Sequence, residues 1–180
     1  MGLSVKDFLS YLNLLIEGEK IILYEGAFAF FCIVMVALVI LKGFREGIRC
    51  SAFLALIEYV ILLYFSAVLC RTTRPAREYD WRPFWSYIAI NNGKSELFYE
   101  NIMNIVAFIP VGLLLKIAFN KKKWWMVALF GLCLSASIET LQYLFMKGFS
   151  ELDDVMHNTL GCIIGSCLAT CRGGKSAALI

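Results

Sequence analysis

The sequence predicts an all-α fold, a polytopic helical membrane bundle with about five transmembrane helices behind a short N-terminal amphipathic helix. Three observations predict it. The 180 residues are 60% hydrophobic with a mean hydropathy of +0.72, above the level of soluble domains. Apolar runs long enough to cross a hydrocarbon core of about 30 Å recur along the chain. The polar residues that interrupt the last three runs fall at helical spacing, as on the inward face of a bundle.

Taken in order, residues 1–20 form an interfacial segment. Phe8, Tyr11, Leu12 and Leu15 lie at i, i+3, i+4 and i+7 in a stretch too short to span. Asp7, Glu17 and Glu19 precede any long apolar run, which argues against a cleaved signal peptide. Lys6 breaks the myristoylation pattern that Met1 and Gly2 begin. Residues 21–172 form the membrane domain. Its first span covers about 21–41, and a basic loop with Lys42, Arg45 and Arg49 follows. The second span covers about 51–70 and contains Glu58, which has no evident place beside the other polar groups. Residues 71–100 form a long polar connection. Its Trp81, Trp85 and Tyr87 suit a membrane–water interface.

The third span covers about 101–119. Pro110 should kink it, because it cannot donate to the Val106 carbonyl. A basic turn, Lys121, Lys122 and Lys123, leads to a fourth span over 124–146. The fifth covers about 154–171 and ends in a basic tail with Arg172 and Lys175. Dense Lys/Arg at 42–49 and 116–123 places those loops in the cytoplasm. The N-terminus is then outside, the C-terminus cytoplasmic, and connections 71–100 and 147–153 are both external.

The polar seam organises the chain. Ser135, Glu139 and Gln142 share one face of the fourth span at i, i+4 and i+7. Asp154, Asn158, Gly161 and Gly165 share one face of the fifth at i, i+4, i+7 and i+11. Asn101, Asn104 and Phe108 do so on the third. Glu139 lies fifteen residues beyond Trp124. At ~1.5 Å per residue that is about 22 Å, in the outer third of the bilayer core. The third and fifth spans start from the same side, so their polar groups reach that level too.

Plainer roles compete with a functional one. Glu139 as helix glue would hydrogen-bond Asn104 or Ser135. Asp153 and Asp154 as caps would serve the start of their own helix, where acids complement the dipole. Capping explains one of the two acids and does not explain Asn158 a turn deeper. Gly161 and Gly165 suit close packing against the third or fourth span. His157 points off the seam and suits packing or a lipid edge. The seven cysteines, mostly within apolar segments and without Cys-x-x-Cys spacing, read as small apolar filler. The net charge of +3 is spread over loops, and no basic patch suits nucleic acid.

Four ordered stretches resemble the VanZ-like family of small bacterial membrane proteins, most strongly over residues 71–165. They are Arg82-Pro83-Phe84; Glu100 through Gly112, with Asn101, Asn104, Phe108 and Pro110; Ser137 through Gln142; and Asp153 through Gly161. The chain departs from the pattern in carrying Asp80 and Trp81 where asparagine-leucine is usual. It also lacks the arginine often found before the aspartate pair, where only Lys147 is near. The resemblance implies a bacterial cytoplasmic membrane location. It also brings an association with resistance to teicoplanin-type glycopeptides, which many relatives lie outside.

Two functions follow as expectations. In the first, the seam binds the head group of a membrane lipid or lipid-linked wall precursor. The ligand-binding set is then Arg82, Asn101, Asn104, Ser135, Glu139, Gln142, Asp153, Asp154 and Asn158, with a cation such as Arg82 on the phosphate. In the second, the same site is an enzyme's, with Glu139 and Asp154 as general base and acid. No cofactor is expected. A divalent cation on Asp153 and Asp154 is the weak alternative. With five spans and no internal repeat, the chain is a poor fit to a monomeric transporter.

Overall fold

The computed structural model describes residues 43–119 and 123–176 continuously, with side chains to residue 170, and residues 33, 34, 36, 37, 40 and 41 before them. The amphipathic segment and most of the first expected span lie outside the described residues. The chain divides into two compact units, 1–47 and 48–180. The fold below concerns the second.

Five helices and two short strands make up the described chain. They are α1 (Phe44–Tyr64), extended by a π-helical turn Phe65–Leu69; β1 (Glu78–Asp80); α2 (Trp85–Asn91); α3 (Glu96–Ala118); α4 (Trp124–Phe145); β2 (Phe149–Glu151); and α5 (Leu152–Ser176). The all-α class holds. Among the described residues, three helical segments are long and apolar enough to cross a membrane: Phe44–Leu69, Glu96–Ala118 and Trp124–Phe145. The helix α5 has 25 residues, but its acids, His157 and Asn158 dilute its apolar character. It packs along α3 and, next, on α4.

Two boundaries differ from expectation. The basic stretch at 42–49 is helical from Phe44 onward, after Gly43 at φ +79°. Its Arg and Glu residues have ample helix propensity, and charge density alone does not end a helix. The third helix begins at Glu96, five residues before the apolar run, and it continues unbroken through Pro110.

Small residues set the close approach of α5. A Cβ on Gly161 or Gly165 would strike the carbonyls of Ile105 and Ile109 on α3, and one on Gly112 would strike the Cys162 carbonyl. The Gly161/Gly165 pair therefore packs on the third span, within the expected alternatives. Cys162 is fully buried, and its Sγ and Cβ would lie 2.7 and 2.8 Å from a Cβ on Gly131 of α4. It fills the space where the three helices meet, as the filler reading expects.

The core joins Leu56, Leu63 and Val68 of the first helical segment to Phe108, Val111 and Leu115 of α3 and to Val127, Leu134 and Ile138 of α4. Polar ties cross the same contacts. Tyr59 Oη donates to the Ala107 carbonyl at 2.8 Å. Tyr64 Oη donates to Ser137 Oγ at 2.5 Å, and that hydroxyl passes its own proton to the Leu134 carbonyl.

The connection 71–100 is structured. Strand β1 pairs in parallel with β2, with Glu78, Tyr79 and Asp80 opposite Phe149, Ser150 and Glu151. This three-residue ladder brings the two connections together at one end of the bundle. Helix α2 follows at once and lies beside α3.

Candidate functional site

The site lies where α3, α4 and α5 meet the β1–β2 ladder and α2. Helical periodicity delivers its deeper groups. Ser135, Glu139 and Gln142 are all buried on one face of α4, and Asn158 is buried on α5. Asn158 Nδ2 donates to Ser135 Oγ at 2.8 Å, joining the two helices. One turn nearer the connections, Glu139 Oε2 accepts the backbone N–H of Glu151 at 3.0 Å. Ser150 also bonds the Glu139 carboxyl, and Asp154 acts on it electrostatically. Asp154, partly buried, bonds the side chain of Asn104 on α3. Gln142 Nε2 reaches the other way and donates to the Ala67 carbonyl inside the π-helical turn, at 2.9 Å.

Asp153 has a different duty from its neighbour. Its Oδ1 accepts the N–H of Phe84 at 2.6 Å. Its Oδ2 accepts the N–H of Ser86 at 2.9 Å and the Ser86 hydroxyl at 2.6 Å. Asn101 Nδ2 donates in turn to Ser86 Oγ at 3.1 Å. Asp153 thus caps α2 from outside, satisfying amides that a helix start leaves open. It also stands with Asp154 in the first turn of its own helix, where the dipole favours an acid, but its hydrogen bonds go to the start of α2. This carboxylate is only 1% exposed, and both of its oxygens are engaged in these bonds. Among the described residues no group of three or more His, Cys, Asp or Glu is placed to hold a metal ion.

His157 is buried, not at a lipid edge, and its Nε2 shares a hydrogen bond of 2.8 Å with Tyr87 Oη. The packing half of its expected role stands.

Arg82 lies outside the cluster. Its side chain is 79% exposed and pairs with Asp80, whose carboxyl it holds below the usual range by hydrogen bonding. The cation near the acids is Arg71, which acts electrostatically on both Glu139 and Asp154. Lys147 Nζ donates to the Arg71 carbonyl at 3.0 Å. Gly148 lets the guanidinium in: a Cβ there would sit 2.8 Å from Arg71 Nη1 and 3.4 Å from Gln142 Oε1. So a guanidinium acts on Asp154 from the far connection, although no arginine lies just ahead of the aspartate pair in the sequence.

Ser86 is absent from the sequence reading, and Glu100 and Glu151, which fall in or beside the family-like stretches, were not placed in the site. Glu151 is buried and accepts the Trp85 indole N–H at 3.0 Å. Burial first, and then the nearby charge of Asp154, push its carboxyl up to about 8. Glu100 is exposed and acts on Asp154 and Glu151. The signal for Glu151 was present, an acid two residues ahead of the aspartate pair. Arg71 and Ser86 gave none, because only the ladder and cap bring them in.

Gln142 Oε1, Asn158 Oδ1 and His157 Nδ1 are buried without a hydrogen-bond partner, and the first two are acceptors only. Exposed Tyr79, Trp81, Phe84 and Tyr87 surround this end of the bundle. Arg77 stacks over the Tyr143 ring at 5.7 Å.

Comparisons agree with the resemblance. The VanZ/LLP1 family model matches residues 28–172. Protein VanZ of Enterococcus faecium is 38% identical over 68 residues, a stretch covering 38% of this chain and 42% of that protein. No solved structure matches. With a family match across most of its length and the family's polar motifs gathered at one end of the helices, the chain belongs to the VanZ/LLP1 family.

Proposed function

We propose that this protein binds the head group of a membrane lipid or lipid-linked wall precursor at the buried polar cluster. The protein is multi-pass in the bacterial cytoplasmic membrane, N-terminus outside and C-terminus cytoplasmic. The cluster faces outward, and glycopeptide resistance of the teicoplanin type is the physiological role this reading carries. One observation carries the binding itself. Buried Glu139, Gln142, Asn158 and partly buried Asp154 converge from two helices, two of them with acceptors unpartnered, beneath an exposed guanidinium. Polar groups at such depth are expensive unless a ligand or water answers them. The exposed aromatics at that end support an interfacial level. The basic stretches 42–49 and 116–123 support the orientation.

In this reading Arg71 replaces Arg82 as the phosphate partner, and Asn101 and Asp153 support the site by fixing α2. The test is mass spectrometry of lipids extracted with purified wild type, Glu139→Gln and Asn158→Ala. A lipid class enriched on wild type and lost from both variants is expected. Equal lipid profiles would sink the proposal.

A second reading, a membrane-embedded enzyme acting on such a lipid, draws on the electrostatic contact between Glu139 and Asp154. Two carboxyls sharing a site can divide acid and base roles. Turnover of a retained lipid, abolished in Glu139→Gln while binding persists, would select it.

A further inference from the structure

The head-group reading leaves the ligand's chemistry open, and the balance of donors and acceptors narrows it. Glu139, Glu151 and Asp154 gather within electrostatic reach of one another, with Glu100 on the rim. One guanidinium, that of Arg71, acts on Glu139 and Asp154.

Two further acceptors are independent of these acids. Asn158 is 5% exposed; its Nδ2 is spent on Ser135, and its Oδ1 has no partner. Gln142 is 2% exposed; its Nε2 is spent on Ala67, and its Oε1 has no partner. Asn158 stands one helical turn below Asp154, and Ser135 one turn below Glu139, so the Asn158 amide forms the floor under the acid pair. Gln142 Oε1 borders the same gap at Gly148 as Arg71 Nη1.

Such a site wants a group that donates on several sides and carries positive charge. A primary ammonium has three donors and no acceptor. A divalent cation would want several oxygen ligands closing on one point, and among the described residues no three His, Cys, Asp or Glu side chains are placed to hold one. Arg71, exposed at the mouth, suits the opposite charge. Its exposed guanidinium fork can present two N–H groups to a phosphate.

We propose that the site takes a zwitterionic phosphate ester, its primary ammonium seated among Glu139, Asp154, Asn158 Oδ1 and Gln142 Oε1, and its phosphate on Arg71. The proposal rests on the head-group reading. An aminophospholipid and a soluble amino-alkyl phosphate share this chemistry.

The test varies the lipid rather than the protein, so folding is not at issue. Wild type is equilibrated in mixed nanodiscs holding equal amounts of phosphatidylethanolamine, phosphatidylcholine, N-acetyl phosphatidylethanolamine and phosphatidylglycerol. Retained lipid is read by native mass spectrometry. Phosphatidylethanolamine should exceed each of the others by about tenfold, the scale of a lost charge-assisted hydrogen bond. The quaternary ammonium has charge but no N–H, and the acetylated one has an N–H but no charge. Arg71→Gln, a change at an exposed side chain, should weaken all four lipids while keeping their order.

Soluble O-phosphoethanolamine separates the sources. If it displaces the lipid, the head group alone is the ligand; if it does not, an anchored lipid is, and the ammonium assignment holds in both cases. Phosphatidylglycerol retained as well as phosphatidylethanolamine would overturn the ammonium assignment and leave the head-group site standing. Retention abolished by EDTA would overturn it in favour of a bridging metal. No lipid retained at all would remove both proposals.

Discussion

Asp153 Oδ1 accepts the backbone N–H of Phe84 at 2.6 Å, and that one bond ties the fifth helix to the start of α2. Phe84 sits in the left-handed region at φ 62° and ψ 20°, directly before α2. A bulky residue rarely adopts that conformation, at a cost of roughly 1–3 kcal/mol. The carboxylate across the gap offsets the cost by taking both the Phe84 and Ser86 amides. The start of α2 is therefore held by a strained turn and the anion that fastens it.

Removing that anion should loosen the start of α2 before it melts the bundle. Asp153→Ala leaves two amides and a hydroxyl without their acceptor, each bond to a charged group being worth about 1.5–3 kcal/mol. Hydrogen exchange in detergent should show the amides of Phe84 and Ser86 losing protection, with the melting temperature falling by several degrees. Unchanged exchange at these two amides would contradict the fastener role. Phe84→Gly should be tolerated within about 1 kcal/mol, because the side chain is mostly exposed and glycine relieves the backbone.

Helix contact at α5 should be intolerant of side chains. Gly161→Ala drives a methyl into the Ile105 carbonyl, an obstacle that cannot rotate away. A loss of about 1–3 kcal/mol follows from overpacking. Gly148→Ala meets only the end of a flexible guanidinium and a side-chain amide. It should fold almost normally while displacing Arg71. Thermal melts of the two variants, run side by side, check the contrast; equal losses would contradict it.

Acid–base behaviour should expose Glu151. Its carboxyl is raised from the ordinary value of 4.5 to about 8, chiefly by burial and then by Asp154. The folded state therefore holds this proton more tightly than the unfolded chain. Stability from this group is complete below about 4.5, declines as pH rises towards about 8, and is level beyond. Glu151→Gln keeps an acceptor for the Trp85 indole and cannot ionise. Melting curves from pH 5 to pH 9 should fall more steeply for wild type than for the variant. Parallel curves would show that Glu151 does not titrate in this window.

Arginine substitutions should separate two positions that look alike in sequence. Arg82→Ala removes an exposed pair with Asp80, and the melting temperature should stay unchanged along with lipid retention. Arg71→Ala should leave stability similar and reduce retained lipid. Loss of lipid on Arg82→Ala instead would restore the assignment made from sequence.

Periodicity made the helical half of the site legible. Ser135, Glu139 and Gln142 repeat at helical spacing in apolar surroundings, and all three are buried on one face. The glycines of the fifth helix were equally readable, since Gly161 and Gly165 mark where a backbone must come close. The long connection was not. Residues 71–100 carry no sustained period, and the three-residue ladder between Glu78–Asp80 and Phe149–Glu151 is too short to leave an alternation. Phe84 in a left-handed conformation runs against its own propensity, so only the tertiary bond to Asp153 explains it. Arg71 and Arg82 differ by where the ladder places them, a choice made by pairing rather than composition.

Head-group photocrosslinking tests the central claim most directly. A lipid carrying a diazirine on its head group, incorporated in nanodiscs with wild-type protein, would be irradiated and the labelled peptides mapped. Labels should concentrate on Arg71, on residues 139–148 and on residues 151–158, and Gly148→Ala should scatter them. Labels spread evenly over exposed apolar side chains of α1, such as Phe53 and Ile57, with the polar cluster unlabelled, would contradict the account.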